Sequence, residues 1–338
     1  MKENFLKFSF SLPVYNEEKR IKRCLDSIKM QDYPQDRIEV LLADGGSSDR
    51  TVEIASQYEF VRVFPNPRKL ADFGAKINAK EATGDLFVIF AADNELADRD
   101  WLKIVNNVFL YDQEVSTLWC KMISSLEDSP LNRYYELIQN DPLSFFVNKN
   151  LRYYLERAFL RKFKGKNCYI FNVDKNKPLI WGANGLVYRT SWVREIILRE
   201  GFVADNDVFQ ILIEGGKNKV AYLEDLYVYH HHIKSLKQWR KKWKRNFLEH
   251  FLTKRHTRNL GWIMNKNFKW KLLLWMVYSI IPLFSFIHSV YLSFRRKNIY
   301  WLYHPLASFF QAITYFWLVL SNIEGRKMIR ELFYGGKL

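Results

Sequence analysis

The feature that most constrains the fold is a pattern repeated in the N-terminal third of the chain. Short apolar segments end in the polar clusters PVYNE (13–17), ADGGSSD (43–49) and AADNE (91–95). After the first cluster, Ile21 and Leu25 recur at helical spacing among lysines and arginines. Strands that alternate with helices predict a parallel, doubly wound α/β sheet. Ligands of such sheets bind beyond the carboxyl ends of the strands, so we expect these clusters to converge on one edge.

The acidic residues after the fourth apolar segment have two interpretations. The run Leu86–Ala92 predicts a strand, and Asp93 and Glu95 follow it. These carboxylates suit a turn, but they also suit a hard divalent cation, which takes oxygen ligands and retains several waters. We expect either Asp98 or Asp100 to cap the helix that follows.

The C-terminal part of the chain contains two runs without Asp, Glu, Lys or Arg, 272–294 and 298–323. As a helix the first would be about 34 Å long, close to the roughly 30 Å hydrocarbon core of a bilayer. The sequence therefore predicts a membrane-associated helical hairpin, with both termini in the cytoplasm by the positive-inside tendency. A pair of buried helices in a soluble domain and a re-entrant, partly in-plane arrangement remain alternatives, since His288, His304 and Gln311 interrupt the apolar pattern.

The net charge indicates an anionic partner. The chain has 338 residues, with 52 Lys and Arg against 36 Asp and Glu, which gives +16 and a pI near 9.5. Ten of the cations lie in the segment 234–258, directly before the apolar runs, and they predict a basic interfacial helix at an anionic membrane surface. Nucleic acid is not the expected partner. Outside the segment 234–258, the sequence has no motif of interleaved aromatic and basic residues that would bind single-stranded nucleic acid.

Four blocks of the sequence resemble, in the same order, those of family-2 inverting glycosyltransferases that use nucleotide-diphosphate sugars. The blocks are PVYNEEKRIKRCLDSI, VLLADGGSSDRT, NPRKLADFGAKINAKEATGDLFVIFAAD and GFVADNDVFQILIEGG. The resemblance covers most of residues 7–242 and implies a GT-A fold, an α/β fold of two abutting Rossmann-like halves around a mainly parallel central sheet. The expected domains are a nucleotide-sugar-binding half, an acceptor half with a helical insertion, basic interfacial helices, and a membrane-associated hairpin with its tail, at 1–108, 109–235, 236–270 and 271–338.

The resemblance also implies a nucleotide-sugar site and a Mg²⁺ or Mn²⁺ site. The implied donor-binding residues are Pro13, Tyr15, Glu17 and Asp44 near the base and ribose, Arg68, Lys69 and Lys76 near the phosphates, and Asp93 and Asn94. Asp93 falls on the metal-binding position of the family's Asp-x-Asp motif, whose first acid is replaced by Ala91. Glu95, His230 and His231 are further candidate metal ligands.

The block GFVADNDVF supplies the candidate general base. The resemblance places Asp205 where the family deprotonates the acceptor hydroxyl, with Asp207 two residues later. The alternative is that both acids only begin a helix, where the helix dipole favours them. Trp181, Gly182 and Asn184 resemble the block that lines the acceptor side.

The function implied by the resemblance is inverting sugar transfer at the cytoplasmic face of the cell membrane. The donor would be a UDP- or GDP-sugar, and the acceptor a hydroxyl of a lipid-linked molecule or a glycan. The alternative is a non-catalytic, glycosyltransferase-like membrane subunit with a degenerate metal site, because Ala91 stands where the family has an acid.

Overall fold

The structure is a computed structural model that describes residues 4–147, 150–177, 179, 184–199, 205–253 and 268–334. The chain forms two compact units. The first comprises Met1–Ile123 and Asn150–His230, and the second comprises Ser124–Lys149 and His231–Leu338. The helical insertion 124–149 thus belongs to the same unit as the C-terminal helices. The domain bounds expected from the sequence, at 108, 235 and 270, stay predictions.

The first unit is built on one sheet with the strand order β3-β2-β1-β4-β9-β6-β10-β8-β7, and β5 pairs with β10. Its strands in the described residues are β1 (Phe8–Val14), β2 (Ile38–Asp44), β3 (Val61–Pro65), β4 (Leu86–Ile89), β5 (Asn94–Leu96), β6 (Thr117–Ile123), β7 (Phe159–Phe163), β8 (Lys166–Asn172), β9 (Leu186–Arg189) and β10 (Lys219–His230). From β3 to β4 all neighbours are parallel, and β6 is parallel to β10. The predicted α/β fold is confirmed.

Helices cover both faces of this sheet. They are α1 (Glu18–Lys29), α2 (Thr51–Ala55), α3 (Ala71–Glu81), α4 (Trp101–Tyr111), α7 (Asn150–Leu155), α8 (Thr190–Leu198) and α9 (Asp205–Glu214). Along β2, Val40 and Leu42 pack into the apolar cluster that contains α1, while Leu41 packs into the cluster that contains α8 and α9. Successive side chains of a strand point to opposite faces, so a strand covered on both faces must be apolar throughout.

The fourth strand is shorter than the sequence predicts. The run Leu86–Ala92 was expected to be one strand, but β4 ends at Ile89. The chain then turns, with the amide of Asn94 donating to the carbonyl of Ala91 at 3.0 Å, and returns as β5, which pairs antiparallel with β10. β4 thus ends at Ile89, although the apolar sequence continues to Ala92, because the chain turns to pair with the distant strand β10.

The second unit is helical in its described residues. Its helices are α5 (Pro130–Ile138), α6 (Pro142–Val147), α10 (Leu236–Arg245), α11 (Phe268–Ile280), α12 (Pro282–Arg295), α13 (His304–Ser321) and α14 (Ile323–Tyr334), with a π-helix at Asn246–Leu252. No single helix in the described ranges is both long and apolar enough to cross a bilayer. Two helix pairs meet that test only when joined, and each is sharply bent: Trp270–Ile280 with Pro282–Arg295 by 88°, and Ile299–Ser321 with Ile323–Glu331 by 98°.

Candidate functional site

The carboxyl ends of β1, β2 and β3 lie side by side because these strands are parallel and in register. Val14 pairs with Asp44, and Asp44 pairs with Pro65. The loops continue this contact. The Gly45 amide donates to the carbonyl of Val14 at 2.9 Å, and the Asn66 amide donates to that of Asp44 at 2.7 Å. The expected convergence of the clusters 13–17 and 43–49 on one edge is confirmed.

An aromatic ring, a carboxylate and an ammonium group come together at this edge. Tyr15 is 50% exposed, and the Nζ of Lys69 lies 5.4 Å from the centre of its ring. Asp44 is held in place by its own loop, because its carboxylate accepts hydrogen bonds from the amides of Gly46 and Ser47, each at 3.1 Å. The ring offers a stacking surface, the carboxylate an acceptor and the amine a cation, which together suit a nucleoside diphosphate.

The other predicted donor-binding residues of this edge have contacts of their own. Pro13 lies on β1 under α3, where a Cβ at Gly74 would be only 2.9 Å from its Cβ. Glu17 pairs with Arg20 at 3.4 Å. The guanidinium of Arg68 lies 4.6 Å from the centre of the Phe73 ring, and the amine of Lys76 donates to the carbonyl of Arg199. Of the three predicted phosphate-binding cations, the structure places Lys69 against Tyr15.

Hydrogen bonds between side chains and backbone join the loops that follow β1 and β2. The Asn16 amide donates to Ser47 Oγ at 2.9 Å, and the Glu17 amide donates to Thr51 Oγ1 at 2.7 Å. In the opposite direction, the Ser48 amide donates to Asn16 Oδ1 at 2.8 Å. Side chains of each loop therefore accept hydrogen bonds from backbone amides of the other loop. These bonds fix the position of Tyr15 relative to Asp44.

A carboxylate and an imidazole lie together where β5 meets β10. Asn94 pairs with His230 across these strands, which brings the preceding Asp93 to the same place. Asp93 Oδ1 is 3.7 Å from His230 Nε2, and Asn184 Nδ2 is 3.1 Å from that nitrogen. His230 is only 3% exposed and Asp93 13%. The predicted ligands Asp93 and His230 are thus brought together, and Asn184, predicted for the acceptor side, contacts the histidine.

The donor set at Asp93 and His230 fits a divalent cation. A carboxylate oxygen and an imidazole nitrogen offer ligand atoms within 4.8 Å of each other. Negative charge also accumulates here. Burial first, and then the charges of Asp93, Glu95 and Glu17, raise the pKa of the Cys24 thiol well above its usual value. A cation bound at Asp93 would offset this charge.

Three other predicted residues of this region have different surroundings. The carboxylate of Glu95 pairs with Arg23 Nε at 2.9 Å. The side chain of Asn94 is fully buried, so the structure does not offer it to a ligand from solvent. His231 belongs to the second unit, where its Nδ1 lies 3.0 Å from the carboxylate of Asp128. Of the predicted metal ligands, the geometry thus groups Asp93 with His230.

The expectation that Asp98 or Asp100 caps α4 is wrong for their side chains. Asp100 stands at the N-cap position but makes no side-chain hydrogen bond to the helix. Its carboxylate pairs with Lys164 at 2.9 Å, and that of Asp98 pairs with Lys166 at 3.3 Å. The lysines come from β8 and the turn before it, so long-range charge pairing replaces local capping.

Comparisons with known proteins agree with this geometry. The model of the family described as Glycosyl transferase family 2 matches residues 9–171. The match identifies this part of the chain as a glycosyl transferase family 2 domain. The Methanococcus voltae dolichyl N-acetyl-alpha-D-glucosaminyl phosphate 3-beta-D-2,3-diacetamido-2,3-dideoxy-beta-D-glucuronosyltransferase is 33% identical over 116 residues, which are 32% of this chain and 35% of that protein. Glycosyltransferase GlyA of Streptococcus pneumoniae is 25% identical over 243 residues, 70% of this chain and 32% of that one.

The chain spans about a third of the length of the curated relatives it matches. Among solved structures, the mannosyltransferase PcManGT of Pyrobaculum calidifontis in complex with GDP-Man and Mn²⁺ has a TM-score of 0.51 at 17% identity, covering 96% of this chain and 79% of that one. This likeness supports the GT-A fold.

The remaining predicted residues of this family-2 domain are only partly described. Trp181, Gly182 and the side chain of Asp205 lie outside the described residues. The backbone of Asp205 begins α9, as both interpretations of this acid expected. Asp207 stands in the first turn of that helix and is 2% exposed. The roles of Asp205 and Asp207 stay predictions.

The sequence analysis did not identify the residues whose hydrogen bonds and ion pairs hold the site residues in place. Ser47 and Thr51 join the two loops, and Arg23 holds Glu95. A signal for the loops was present, because hydroxyl residues at the start of a helix are typical backbone acceptors. That their donors come from the neighbouring loop depends on the parallel register of β1 and β2.

Proposed function

We propose that this family-2 glycosyltransferase transfers a sugar from a UDP- or GDP-linked donor to a hydroxyl of a lipid-linked or glycan acceptor, with inversion, at the cytoplasmic face of a membrane. The observation that carries the proposal is the grouping of Tyr15, Asp44 and Lys69 at the sheet edge, together with Asp93 and His230. A relative named for dolichyl N-acetyl-alpha-D-glucosaminyl phosphate and a fold neighbour solved in complex with GDP-Man and Mn²⁺ support the choice of acceptor and donor.

In this proposal each group acts on a separate part of the donor. Tyr15 stacks on the base, and Asp44 accepts its hydrogen bonds. Lys69 faces the phosphates, and Asp93 and His230 would hold a Mg²⁺ or Mn²⁺ ion, which would stabilise the charge of the departing nucleotide diphosphate. Asp205 takes the proton of the acceptor hydroxyl in a single displacement, so a covalent sugar intermediate is not required.

A screen of nucleotide sugars with the purified full chain in detergent tests the proposal. We expect release of the nucleotide diphosphate from one donor, dependent on Mn²⁺ or Mg²⁺ and abolished by EDTA. Asp93→Asn and Asp205→Asn should each lower turnover by at least roughly a hundredfold. Asp98→Asn is the matched control, because this acid pairs with Lys166 and should leave turnover nearly unchanged.

Three outcomes would count against the proposal. Normal turnover in Asp93→Asn would remove the metal assignment, and normal turnover in Asp205→Asn would remove the assignment of the base. Donor binding in calorimetry without turnover of any donor would favour the non-catalytic membrane subunit, for which the replacement of an acid by Ala91 is the motivating observation.

A further inference from the structure

Helices α11, α12 and α13 of the second unit have the reverse polarity of helices in a water-soluble protein. On α12, Ser285 and Ser289 are fully buried, whereas Phe286 and Ile287 are 54% and 58% exposed. On α13, Gln311 is fully buried and Trp317 is 68% exposed. We call the outward side of these helices the apolar face; its most exposed members include Leu274, Leu283, Phe286, Ile287, Phe294 and Trp317.

The buried polar side chains of α12 and α13 find partners within the unit, whereas Ser279 Oγ and Trp275 Nε1 of α11 have none in the described residues. Ser289 Oγ donates to the carbonyl of Phe286 at 2.8 Å, and Gln311 accepts from the amide of Leu143 at 2.9 Å. His304 bonds to Tyr278 at 2.8 Å. A unit that pairs its polar groups inside and turns large apolar groups outward is suited to a solvent that makes no hydrogen bonds. Contiguous apolar surfaces of this kind mark membrane or protein contacts.

Two contacts limit how deep this surface can lie in a bilayer. Near the middle of α13, Gln311 donates to the carboxylate of Asp141 at 2.9 Å, and Thr314 Oγ1 accepts from Arg240 at 3.3 Å. Ionised groups at the centre of a bilayer are costly, so the middle of α13 is not at that depth. The helices are also short: 18 residues of α13 measure about 27 Å, and the 14 of α12 about 21 Å, against a core of roughly 30 Å.

Cations stand beside the apolar face in the sequence and are exposed. Lys237, Lys241 and Lys244 lie on α10, whose Arg240 contacts α13. Arg295 is the last residue of α12 and of the first bent pair, and Arg296 and Lys297 follow it directly. Lysine and arginine next to an apolar surface are complementary to the headgroups of anionic lipids.

We propose that the apolar face inserts into one leaflet of an anionic bilayer and that the two bent helix pairs re-emerge on the side from which they entered. The bends of 88° and 98° form a shallow wedge, as in the re-entrant alternative for the predicted membrane-associated hairpin. This inference rests on the membrane location in the proposed function and specifies its geometry. The partner is the lipid surface itself.

The first test measures binding of the full chain to vesicles by flotation. We expect binding to phosphatidylcholine vesicles that contain phosphatidylglycerol, and weaker, less salt-dependent binding without it. Phe286→Ser with Ile287→Ser should lower the bound fraction at least roughly tenfold. The matched control is Phe159→Ser with Leu160→Ser on β7, a neighbouring aromatic and aliphatic pair with exposures of 55% and 50%, which should leave binding unchanged.

The second test asks whether the chain crosses the bilayer. The three native cysteines are buried, so an introduced cysteine can be labelled selectively. In Lys297→Cys, added to sealed vesicles, we expect a membrane-impermeant maleimide to react as fast before permeabilisation as after it. Lys22→Cys, on an exposed position of α1, supplies the reference rate. Reaction of Lys297→Cys only after permeabilisation would establish a spanning hairpin and overturn the proposal.

Two further outcomes would also overturn it. If the apolar face joins two copies of this chain, sedimentation will show a dimer that Phe286→Ser with Ile287→Ser dissociates, and flotation will show no vesicle binding. Sugar transfer in detergent is scored separately. Sugar transfer without vesicle binding would reject the leaflet insertion but not the proposed chemistry. Vesicle binding without transfer of any sugar would reject the proposed chemistry but not the leaflet insertion.

Discussion

The two units place polar and apolar side chains in opposite ways. The first unit buries Phe8, Phe10 and Leu12 under its helices and exposes charge. The second unit buries Ser285, Ser289 and Gln311 and exposes Phe286 and Trp317. One chain thus contains a domain suited to water and a domain suited to an apolar surface. The pattern of burial distinguishes the two units, whereas the overall mean hydropathy of −0.26 averages over both of them.

The largest expected effect contrasts the same substitution in the two units. Phe10 is fully buried and packs edge-on against Phe90 at 5.4 Å, so Phe10→Ala should lower the free energy of unfolding by about 3–5 kcal/mol. Phe294 is 81% exposed, so Phe294→Ala should lower the free energy of unfolding in detergent by less than about 0.5 kcal/mol. Urea unfolding followed by circular dichroism measures both changes, and equal losses would show that the exposed apolar side chains of the second unit contribute to its stability as buried ones do.

The next effect concerns the polar interior of the second unit. Gln311→Leu adds apolar surface but leaves the amide of Leu143 without its acceptor and removes one hydrogen bond from the carboxylate of Asp141, which keeps those from Ser144. We expect a loss of about 1–3 kcal/mol in detergent, measured by thermal unfolding. Gln57→Leu, at an exposed position of the first unit, should be nearly neutral. A stabilised Gln311→Leu would show that apolar packing alone holds this unit.

A buried charge in the first unit predicts a pH dependence. Burial by itself would raise the pKa of Glu39, but hydrogen bonds from Ser9 and Thr83 and the charge of Lys7 lower it below its ordinary value. A carboxyl whose folded pKa is depressed stabilises the fold above its unfolded pKa, and this contribution is lost as the pH falls through the folded pKa.

Glu39→Gln should therefore cost about 1–2 kcal/mol at neutral pH, and its difference from the native chain should shrink below roughly pH 4. Chemical unfolding across this pH range provides the measurement. Glu59→Gln, an exposed position, is the control and should change the neutral-pH value by less than about 0.5 kcal/mol. A difference that persists at acid pH would mean that the hydrogen-bond geometry, and not the charge, matters at residue 39.

The smallest effect tests the polar edge of the first unit. Thr51 Oγ1 accepts a hydrogen bond from the amide of Glu17 in the loop after β1, and it donates one to Asp49 in its own loop. Thr51→Val keeps the shape of the side chain and should cost about 1 kcal/mol. It should also weaken nucleotide binding several-fold, since it loosens the loop that carries Tyr15. Ser56→Ala, at the exposed end of α2, is the control for both calorimetric binding and stability.

Local sequence was sufficient for much of the first unit. The apolar segments and the polar clusters that follow them predicted β1, β2 and a common edge, because strand alternation and helical spacing are local properties. Asp44, Tyr15 and Lys69 were named from that pattern and from the family resemblance, and they lie together. The extent of β4 was predicted too long, since its end depends on the pairing of β5 with the distant β10.

The surroundings of the acids after β4 required the tertiary structure. Asp93, Glu95, Asp98 and Asp100 are alike in sequence, but they contact His230, Arg23, Lys166 and Lys164 respectively. A carboxylate near the start of a helix is predicted to cap it, unless a cation from elsewhere in the fold reaches it first. The partners of these acids come from α1, from β10, and from β8 and the turn before it, which no local pattern specifies.

Local periodicity and ordered motifs were enough to predict the fold class, the resemblance to family-2 glycosyltransferases and the position of the apolar runs. Which acid faces a histidine, and which side of each apolar helix faces outward, depend on contacts between segments that are far apart in the chain. The runs 272–294 and 298–323 are free of charged residues all round, so their composition could not separate a spanning helix from a bent one. The bends after Ile280 and Ser321, and the contacts of Asp141 and Arg240 with α13, depend on packing between segments distant in sequence.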